Sequence, residues 1–218
     1  MRKLFEAKLQ QVGDDLVTMS KMVEVAVEKA GQALLTADLS LAQEVIAGDR
    51  LIDVLQRELD ERCVLLLAQQ SPVATDLRLV VSALRMSMTL ERMGDLARHV
   101  AEVARSRYPG KAIRPAEEAT FAAMVTAARQ VSGEVVTLLE TRDLELAAAI
   151  ERDDDVLDDL HAETFAALLA PRWDGTVQEA IDITLVGRYL ERFGDHATTI
   201  ARRIVFLVTG EPNTPIVG

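Results

Sequence analysis

The chain has 218 residues, 49% of them hydrophobic, and a net charge of -11, a balance typical of a soluble globular protein with a substantial core. This acidity argues against a nucleic-acid binder, and no apolar run is long enough to span a bilayer, so we expect no membrane insertion. Cys63 is the single cysteine, which excludes an intramolecular disulfide, and the first ten residues lack the apolar core of a signal peptide, so a cytoplasmic location is expected.

The first half of the chain predicts three helices. The first helix, about residues 4–35, is expected to face a bundle core with a seam of small and apolar residues spaced three and four apart. The members of this seam are Leu9, Val12, Leu16, Met19, Val23, Ala26 and Ala30. Asp38 is expected to cap the second helix, which runs to about Ala68. Pro72 marks the next turn, and the third helix spans about residues 73–107.

The second half of the chain repeats this pattern after a linker that Pro109 and Pro115 bracket. Its three helices are predicted at about 115–141, 143–170 and 175–209. Short turns between them favour antiparallel neighbours.

An internal duplication accounts for this symmetry. A shift of 105 positions places Asp49 on Asp154, and the shift falls to 100 at the word LERxGD, which occurs in both halves. We therefore predict an all-α fold of two tandem three-helix bundles, related by a pseudo-two-fold internal repeat. The predicted domains are the first repeat at 1–108, the second repeat at 115–210, and a short C-terminal tail at 211–218.

The third helix of each half carries a narrow seam of small residues. The first seam comprises Ala83, Ser87, Leu90, Gly94, Ala97, Ala101 and Ala104. The second seam comprises Ile183, Gly187, Leu190, Gly194, Ala197, Ala201 and Ile204. Since a glycine inside a helix costs about 1 kcal/mol relative to alanine, close approach of a neighbouring helix is the expected compensation.

Pairs of acids spaced i and i+4 recur four times, on the second and third helix of each half. Such spacing places both carboxylates on one helix face, although like charges there weaken a helix by a few tenths of a kcal/mol. If the second and third helices are antiparallel neighbours, four carboxylates converge in each half. These residues are Asp49, Asp53, Glu91 and Asp95 in the first half, and Asp154, Asp158, Glu191 and Asp195 in the second.

Oxygen-rich clusters of this kind suit hard divalent or trivalent metal ions such as Mg, Ca, Mn or iron, and zinc is not excluded. The alternative is a set of solvated acids neutralised by nearby arginines. Arg57, Arg98 and Arg188 are spaced to do so, whereas Asp154 has no basic residue within the next turn.

Several other residues have a plainer interpretation. Three histidines lie near the acids and are interpreted as surface residues rather than ligands: His99, His161 and His196. Cys63 is predicted to be a core thiol, and Trp173 a packing plug at a bundle end rather than an exposed contact residue. Three methionines of the third helix are expected to fill the core: Met86, Met88 and Met93.

No enzymatic activity is expected. The sequence has no glycine-rich phosphate loop, no GxSxG elbow, and no Glu-x-x-His pairs beside the repeated acids. The alternatives to a signalling role are a metal-dependent enzyme with a carboxylate-bridged site and a purely structural helical bundle.

The ordered motifs resemble the PhoU family, the phosphate-transport accessory and regulatory proteins of bacteria. The likeness rests on SPVATDLR at 71–78, LERMGD at 90–95, LERFGDHA at 190–197, and the Asp pairs of the second helices. It covers essentially residues 1–210, although the second half has PRWDG at 171–175 in place of an SPxAxDLR word.

The resemblance implies that the eight acids form E(D)xxxD motifs that can hold metal, including multinuclear iron. It also implies negative regulation of phosphate uptake and of the phosphate-starvation response. The partners it implies are a phosphate ABC transporter ATPase and a sensor histidine kinase, between which the chain serves as an adaptor, and a homodimer is expected. Because the sequence shows no obvious basic pocket, the transporter is the expected phosphate sensor.

Overall fold

Six α-helices make up the described part of the chain, residues 2–211, in the computed structural model. They are α1 (Arg2–Thr36), α2 (Leu39–Gln70), α3 (Ala74–Arg107), α4 (Glu118–Thr141), α5 (Leu144–Leu168) and α6 (Val177–Thr209). The predicted C-terminal tail lies outside the described residues beyond Glu211. Between residues 2 and 211, no helix combines the length and hydropathy needed to cross a membrane.

Side-chain caps set several helix ends. The Asp38 carboxylate accepts hydrogen bonds from the backbone N–H groups of Ser40 (2.9 Å) and Leu41 (3.0 Å), which confirms the predicted cap of α2. Asp143, its counterpart after the 105-residue shift, caps α5 through the N–H of Glu145 at 2.8 Å. These caps recur because they are encoded locally in both halves.

The start predicted for the fourth helix, at about residue 115, is wrong by three residues. The segment at 114–117 forms a turn in which the Glu117 N–H donates to the carbonyl of Arg114 at 3.1 Å. The helix therefore begins at Glu118. Periodicity extended the helix back to Pro115 because it does not distinguish a turn from a first helical turn.

Two three-helix bundles form, as predicted, one from α1, α2 and α3 and the other from α4, α5 and α6. They also pack on each other, since α1 contacts α4, and α3 contacts α6, so that one hydrophobic core runs through both halves. The helices α3 and α6 run antiparallel: His99 stacks near Tyr189 with ring centroids 5.1 Å apart, and Arg107 meets Asp182 further along α3.

Small residues allow the helices to approach closely. Both predicted seams of α3 and α6 are buried along their whole length. A Cβ placed on Gly94 would lie 2.9 Å from the Ile52 Cδ1 atom of α2. A Cβ placed on Gly31 would overlap the Val125 side chain, where α1 meets α4. The predicted compensation for helical glycine is therefore confirmed.

The core assignments hold with one exception. Cys63 is fully buried, and burial raises the pKa of its thiol to about 12, which confirms an inert core position. Met86 and Met93 are buried, but Met88 is 58% exposed, so its predicted core role is wrong. Met88 lies on the rim of a cavity between α3 and α6, because helix rotation turns it away from the seam.

Trp173 packs against the end of the second bundle. The residue is partly buried against the core, and the Arg114 guanidinium carbon lies 4.5 Å from its ring centroid. This arrangement matches the predicted plug rather than a free contact residue.

Candidate metal centres

The glycine of each LERxGD word brings the acids of two helices together. At Gly94, the space that a side chain would take is used by α2, and the Asp49 Oδ1 atom lies 3.6 Å from the position of a Cβ. At Gly194, a Cβ would overlap the Asp154 carboxylate and approach Leu157 of α5. Asp154 follows Asp49 by the same 105 positions that relate the two halves, so both centres are built alike.

In the first acidic cluster, the guanidinium group of Arg98 supplies a positive charge. Arg98 donates from Nε to Asp49 Oδ2 at 2.7 Å, from Nη2 to Asp95 Oδ1 at 2.8 Å, and from Nη1 to Glu102 Oε1 at 2.8 Å. The predicted neutralisation of Asp95 is therefore confirmed, and it extends to an acid on another helix. Hydrogen bonding to Asp95 raises the pKa of Arg98, which stays charged.

Four acids of the first half influence one another. Burial raises the pKa of Asp49 despite the attraction of Arg98, and repulsion from Asp95 and Asp53 adds to it. Burial likewise raises the pKa of Glu91, helped by repulsion from Asp95, Asp53 and Asp49. Asp49 and Glu91 therefore face the same side of their bundle.

Arg57 was expected to neutralise the Asp53 carboxylate, but it binds the backbone instead. Its Nε donates to the backbone carbonyl of Asp53 at 3.2 Å, one turn earlier on the same helix. The spacing i and i+4 brings the side chain over that carbonyl as readily as over the carboxylate.

The second acidic cluster lacks an equivalent of Arg98. The corresponding residue is Thr198, whose hydroxyl donates to the Asp195 carbonyl at 2.8 Å. Arg188 pairs with Glu191, as expected. Two buried oxygens remain without a hydrogen-bond partner, Oδ1 of Asp154 and Oε2 of Glu191.

The pKa values of the acids in the second cluster are raised, because these acids are partly buried and close to one another. Burial raises the pKa of Asp154 to about 7, with further contributions from Asp158, Asp195 and Glu191. Burial also raises the pKa of Asp158, where Asp195 repels it. The four predicted acids of the second half are thus close neighbours.

The histidines differ from one another. His161 is only 9% exposed, so its interpretation as a surface residue is wrong; burial lowers the pKa of its imidazole. It packs between Gly187 and Phe165, with the Phe165 ring centroid 4.8 Å away. Burial also lowers the pKa of His196, which lies on the α3 side of α6.

The carboxylates of each acidic cluster are neighbours, but they do not point at a common position that a metal ion could occupy. Over residues 2–211, no three side chains of His, Cys, Asp or Glu lie close enough together to hold a metal ion. The second cluster nevertheless fits a hard cation, because its orphaned Asp154 and Glu191 oxygens lack the positive partner that Arg98 supplies to the first. Metal binding by the eight acids stays a prediction.

Two features of the site were not predicted from sequence. The bridge from Arg98 to Asp49 joins two helices and has no local signature, although the words GDLAR at 94–98 and GDHAT at 194–198 show that only the first half has an arginine there. The ion pair between the partly exposed Arg107 and the buried Asp182 gave no local signal, because its partners lie in different halves of the chain.

The fold and the paired clusters define a class of protein: an all-helical tandem repeat that presents an acidic face where the second and third helix of each unit meet. A family model described as the PhoU domain matches the chain twice, at residues 16–104 and 121–204. The chain belongs to the PhoU family.

Similar proteins extend over nearly the whole chain. The phosphate-specific transport system accessory protein PhoU homolog 2 of Mycobacterium tuberculosis is 40% identical over 210 residues, covering 96% of this chain and 99% of that protein. A homolog 1 from Mycobacterium leprae is also 40% identical, covering 96% of this chain and 95% of that protein. The crystal structure of PhoU from Pseudomonas aeruginosa is 32% identical and matches with a TM-score of 0.86 over 95% of this chain and 100% of that one.

Proposed function

We propose that the chain is an accessory protein of phosphate-specific transport that restrains phosphate uptake and the phosphate-starvation response. The observation that carries this proposal is the end-to-end match to relatives named as phosphate-specific transport system accessory proteins, with 99% of one such relative covered. The names of the relatives describe accessory or regulatory proteins, which supports a role without enzymatic activity.

The proposed mode of action is that of a cytoplasmic adaptor. One helical face docks on the ATPase of a phosphate ABC transporter and another on the cytoplasmic part of a sensor histidine kinase. Amphipathic helix faces are common docking surfaces, and this chain presents six long helices with two distinct acidic faces. A homodimer is part of the proposal, and sedimentation velocity of the purified chain tests it.

Affinity capture from native membranes tests the adaptor role. The tagged chain is expected to recover the transporter ATPase and the kinase from cells grown in high phosphate, and deletion of the chain is expected to induce starvation genes under the same condition. Failure to recover either partner in both high and low phosphate would argue against the adaptor, whereas normal repression in the deletion strain would argue against the regulator.

We further propose that the second acidic cluster is the preferred metal site of the chain. Its support is the contrast between Arg98, which satisfies Asp49 and Asp95, and the buried unpartnered oxygens of Asp154 and Glu191. Asp154, Asp158, Glu191 and Asp195 would hold a divalent or trivalent ion, iron among the candidates. Such an ion supplies the positive charge that couples α5 to α6 there.

Equilibrium dialysis against Mn²⁺, Zn²⁺, Mg²⁺ and Fe³⁺, followed by elemental analysis, tests this site. The double variant Asp154→Asn, Glu191→Gln is expected to lose the tightest bound ion, whereas the matched double variant Asp49→Asn, Glu91→Gln keeps it. Thermal unfolding gives a second readout, because the ion is expected to raise Tm only where Asp154 and Glu191 are intact. Equal loss in both double variants would contradict a preference for the second cluster.

A further inference from the structure

A second polar site lies between α3 and α6, beside the first acidic cluster, because Glu91 of that cluster and Gln56 of α2 also line it. It is a cavity of about 480 Å³ at the contact between the two halves of the chain. Besides Glu91, the polar lining residues from α3 and α6 are Arg85, Thr89, Arg92, His196, Thr199 and Arg203.

The charge of this cavity is opposite to that of the whole chain. Three guanidinium groups line it, although the chain carries 24 basic against 35 acidic residues. Glu91 is the carboxylate beside them, and it is approached by Arg92 at 3.6 Å rather than by the other two. Within residues 2–211, neither Arg85 nor Arg203 forms a salt bridge.

Arg203 is held in place without an acidic partner. Its guanidinium carbon lies 5.6 Å from the Phe206 ring centroid, one turn further along α6. Burial lowers the pKa of Arg203, and repulsion from Arg85 lowers it further, so the two groups are near neighbours of like charge. Beside them, the buried Nε2 atom of His196 has no hydrogen-bond partner.

The internal symmetry of the fold shows that this charge is not a by-product of the repeat. After the shift of 100 positions, Leu185 takes the place of Arg85, and Val103 corresponds to Arg203. The stacked rings of His99 and Tyr189 lie on that opposite side. The basic character therefore belongs to one of two pseudo-equivalent places.

We propose that this cavity binds a phosphate-class oxyanion between Arg85, Arg92 and Arg203. A guanidinium offers two parallel N–H donors that match two oxygens of a tetrahedral anion, and three of them from two helices can surround one anion. The anion relieves the repulsion between Arg85 and Arg203, and it joins the two halves of the chain through their third helices. Free inorganic phosphate and the phosphate tail of a nucleoside triphosphate share this chemistry.

Calorimetric titration of the purified, chelator-treated full-length chain tests the proposal at constant ionic strength. The titrants are inorganic phosphate, sulfate and ATP, with chloride as the reference anion. We expect saturable binding of inorganic phosphate or of ATP, and the stronger of the two identifies the source of the oxyanion. No saturable binding of either at millimolar concentration would overturn the proposal.

Charge-removing variants locate the site. The double variant Arg85→Gln, Arg203→Gln is expected to weaken the binding about tenfold or more, because charge-assisted hydrogen bonds to the anion are lost. Arg105→Gln is the control, since Arg105 is an exposed residue near the end of α3 without a salt bridge among the described residues, and it removes the same charge. Equal weakening in the control and in the double variant would overturn the assignment.

Arg85→Gln alone guards against misfolding, because Arg85 is exposed and its loss leaves the core intact. This variant is expected to weaken binding severalfold with an unchanged helical circular-dichroism spectrum. The measurement uses no partner protein and no metal, so its failure would leave the adaptor and metal proposals standing.

Discussion

The two acidic clusters differ in charge at one equivalent position, which is Arg98 in the first half and Thr198 in the second. Arg98 reaches across to α2 and joins Asp49 to Asp95, whereas Thr198 in the second half reaches only the backbone of its own helix. The first half therefore carries its own counter-charge in Arg98. In the second half, buried carboxylate oxygens have no hydrogen-bond partner and are available to bind a cation. The two repeats therefore differ in electrostatics, although each forms a three-helix bundle.

Replacement of Arg98 by Gln is expected to destabilise the protein. Loss of the guanidinium leaves Asp49 without its partner and Asp95 with only the 3.4 Å contact to Arg92, which should cost about 1–3 kcal/mol of unfolding free energy at neutral pH. Urea unfolding in the presence of chelator measures the loss, and added Mn²⁺ should recover part of it.

Arg92→Gln is the matched control, because Arg92 is 63% exposed and its nearest contacts to acids are 3.4 and 3.6 Å. It should change stability by less than about 0.5 kcal/mol. A loss as large as that of Arg98→Gln would show that the first cluster does not depend on the bridge.

Asp154 should make the metal-free protein less stable as the pH rises. Its pKa is raised from the ordinary value of 3.8 to about 7, so between these values the folded state binds more protons than the unfolded state. Stability then falls as the pH rises from about 4 to 7. Since Asn cannot ionise, Asp154→Asn should be more stable than the parent protein at pH 8 by about 1–3 kcal/mol after allowance for solvent screening.

The difference between Asp154→Asn and the parent should vanish near pH 4, where both side chains are neutral. Urea unfolding at pH 4, 6 and 8 measures it, and the exposed neighbour Asp155→Asn serves as control. An Asp154→Asn protein that is less stable than the parent at pH 8 would mean that the carboxylate has a partner in solution.

At the scale of helices, glycines fix the contacts between elements. Gly94 and Gly194 let α2 and α5 approach the third helices, and Gly31 lets α1 approach α4. The first two contacts assemble the acidic clusters, and the third joins the two bundles. Positions that cost helix stability locally are therefore those that determine the tertiary arrangement.

Replacement of Gly31 by Ala should destabilise the parent protein but stabilise a variant in which the neighbouring Val125 is shortened to Ala. In the parent protein, overlap with Val125 should outweigh the gain in helix propensity and cost about 1–2 kcal/mol. In a Val125→Ala background, the space is free, and Gly31→Ala should stabilise the helix by about 0.5–1 kcal/mol. A double-mutant cycle by urea unfolding measures this coupling.

Gly13→Ala on the same helix is the control, because nothing lies within 4 Å of its added Cβ. It should stabilise both backgrounds equally, by about 0.5–1 kcal/mol. If Gly31→Ala behaved like Gly13→Ala in the parent protein, α1 and α4 would not be in close contact.

For the whole molecule, the two halves share one hydrophobic core. Their cores are continuous, and Arg107 of α3 bonds Asp182 of α6 at 2.5 and 3.0 Å. The carboxylate of Asp182 also accepts a hydrogen bond from Gln178 at 3.0 Å. This contact ties the first repeat to the second at the end of α3.

Asp182→Asn should weaken the junction between the halves. Asp182 is 3% exposed, so its loss of charge leaves the Arg107 guanidinium against a neutral amide at a cost of about 1–3 kcal/mol. Asp174→Asn removes a carboxylate from another arginine pair, but its side chain is 81% exposed, so the change in unfolding free energy should be much smaller than that of Asp182→Asn. Comparable effects in denaturant unfolding would refute the importance of the buried pair.

Unfolding of the full chain should occur in a single transition. Trp173 is the only tryptophan and reports on the second half, whereas far-ultraviolet circular dichroism reports on all helices. Because the core is continuous, the two signals should have the same urea midpoint. A fluorescence transition separate from the circular-dichroism transition would show that the repeats unfold independently.

Features encoded within a few residues of each other could be predicted from the amino-acid sequence. Apolar spacing predicted six helices, Asp38 predicted a cap, and the repeated LERxGD words predicted both the duplication and the helix faces that carry acids. These succeed because a helix places i, i+3 and i+4 on one face wherever it lies in the fold.

Contacts between side chains of different helices could be read only from the folded structure. The bridge from Arg98 to Asp49, the pair of Arg107 with Asp182, and the meeting of Arg85 with Arg203 all depend on how two helices are rotated and offset. The exposure of Met88 depends on the same rotation. The rotation and offset of two packed helices depend on many small and large side chains at once. A local sequence pattern therefore does not predict which charged side chains of different helices will be in contact.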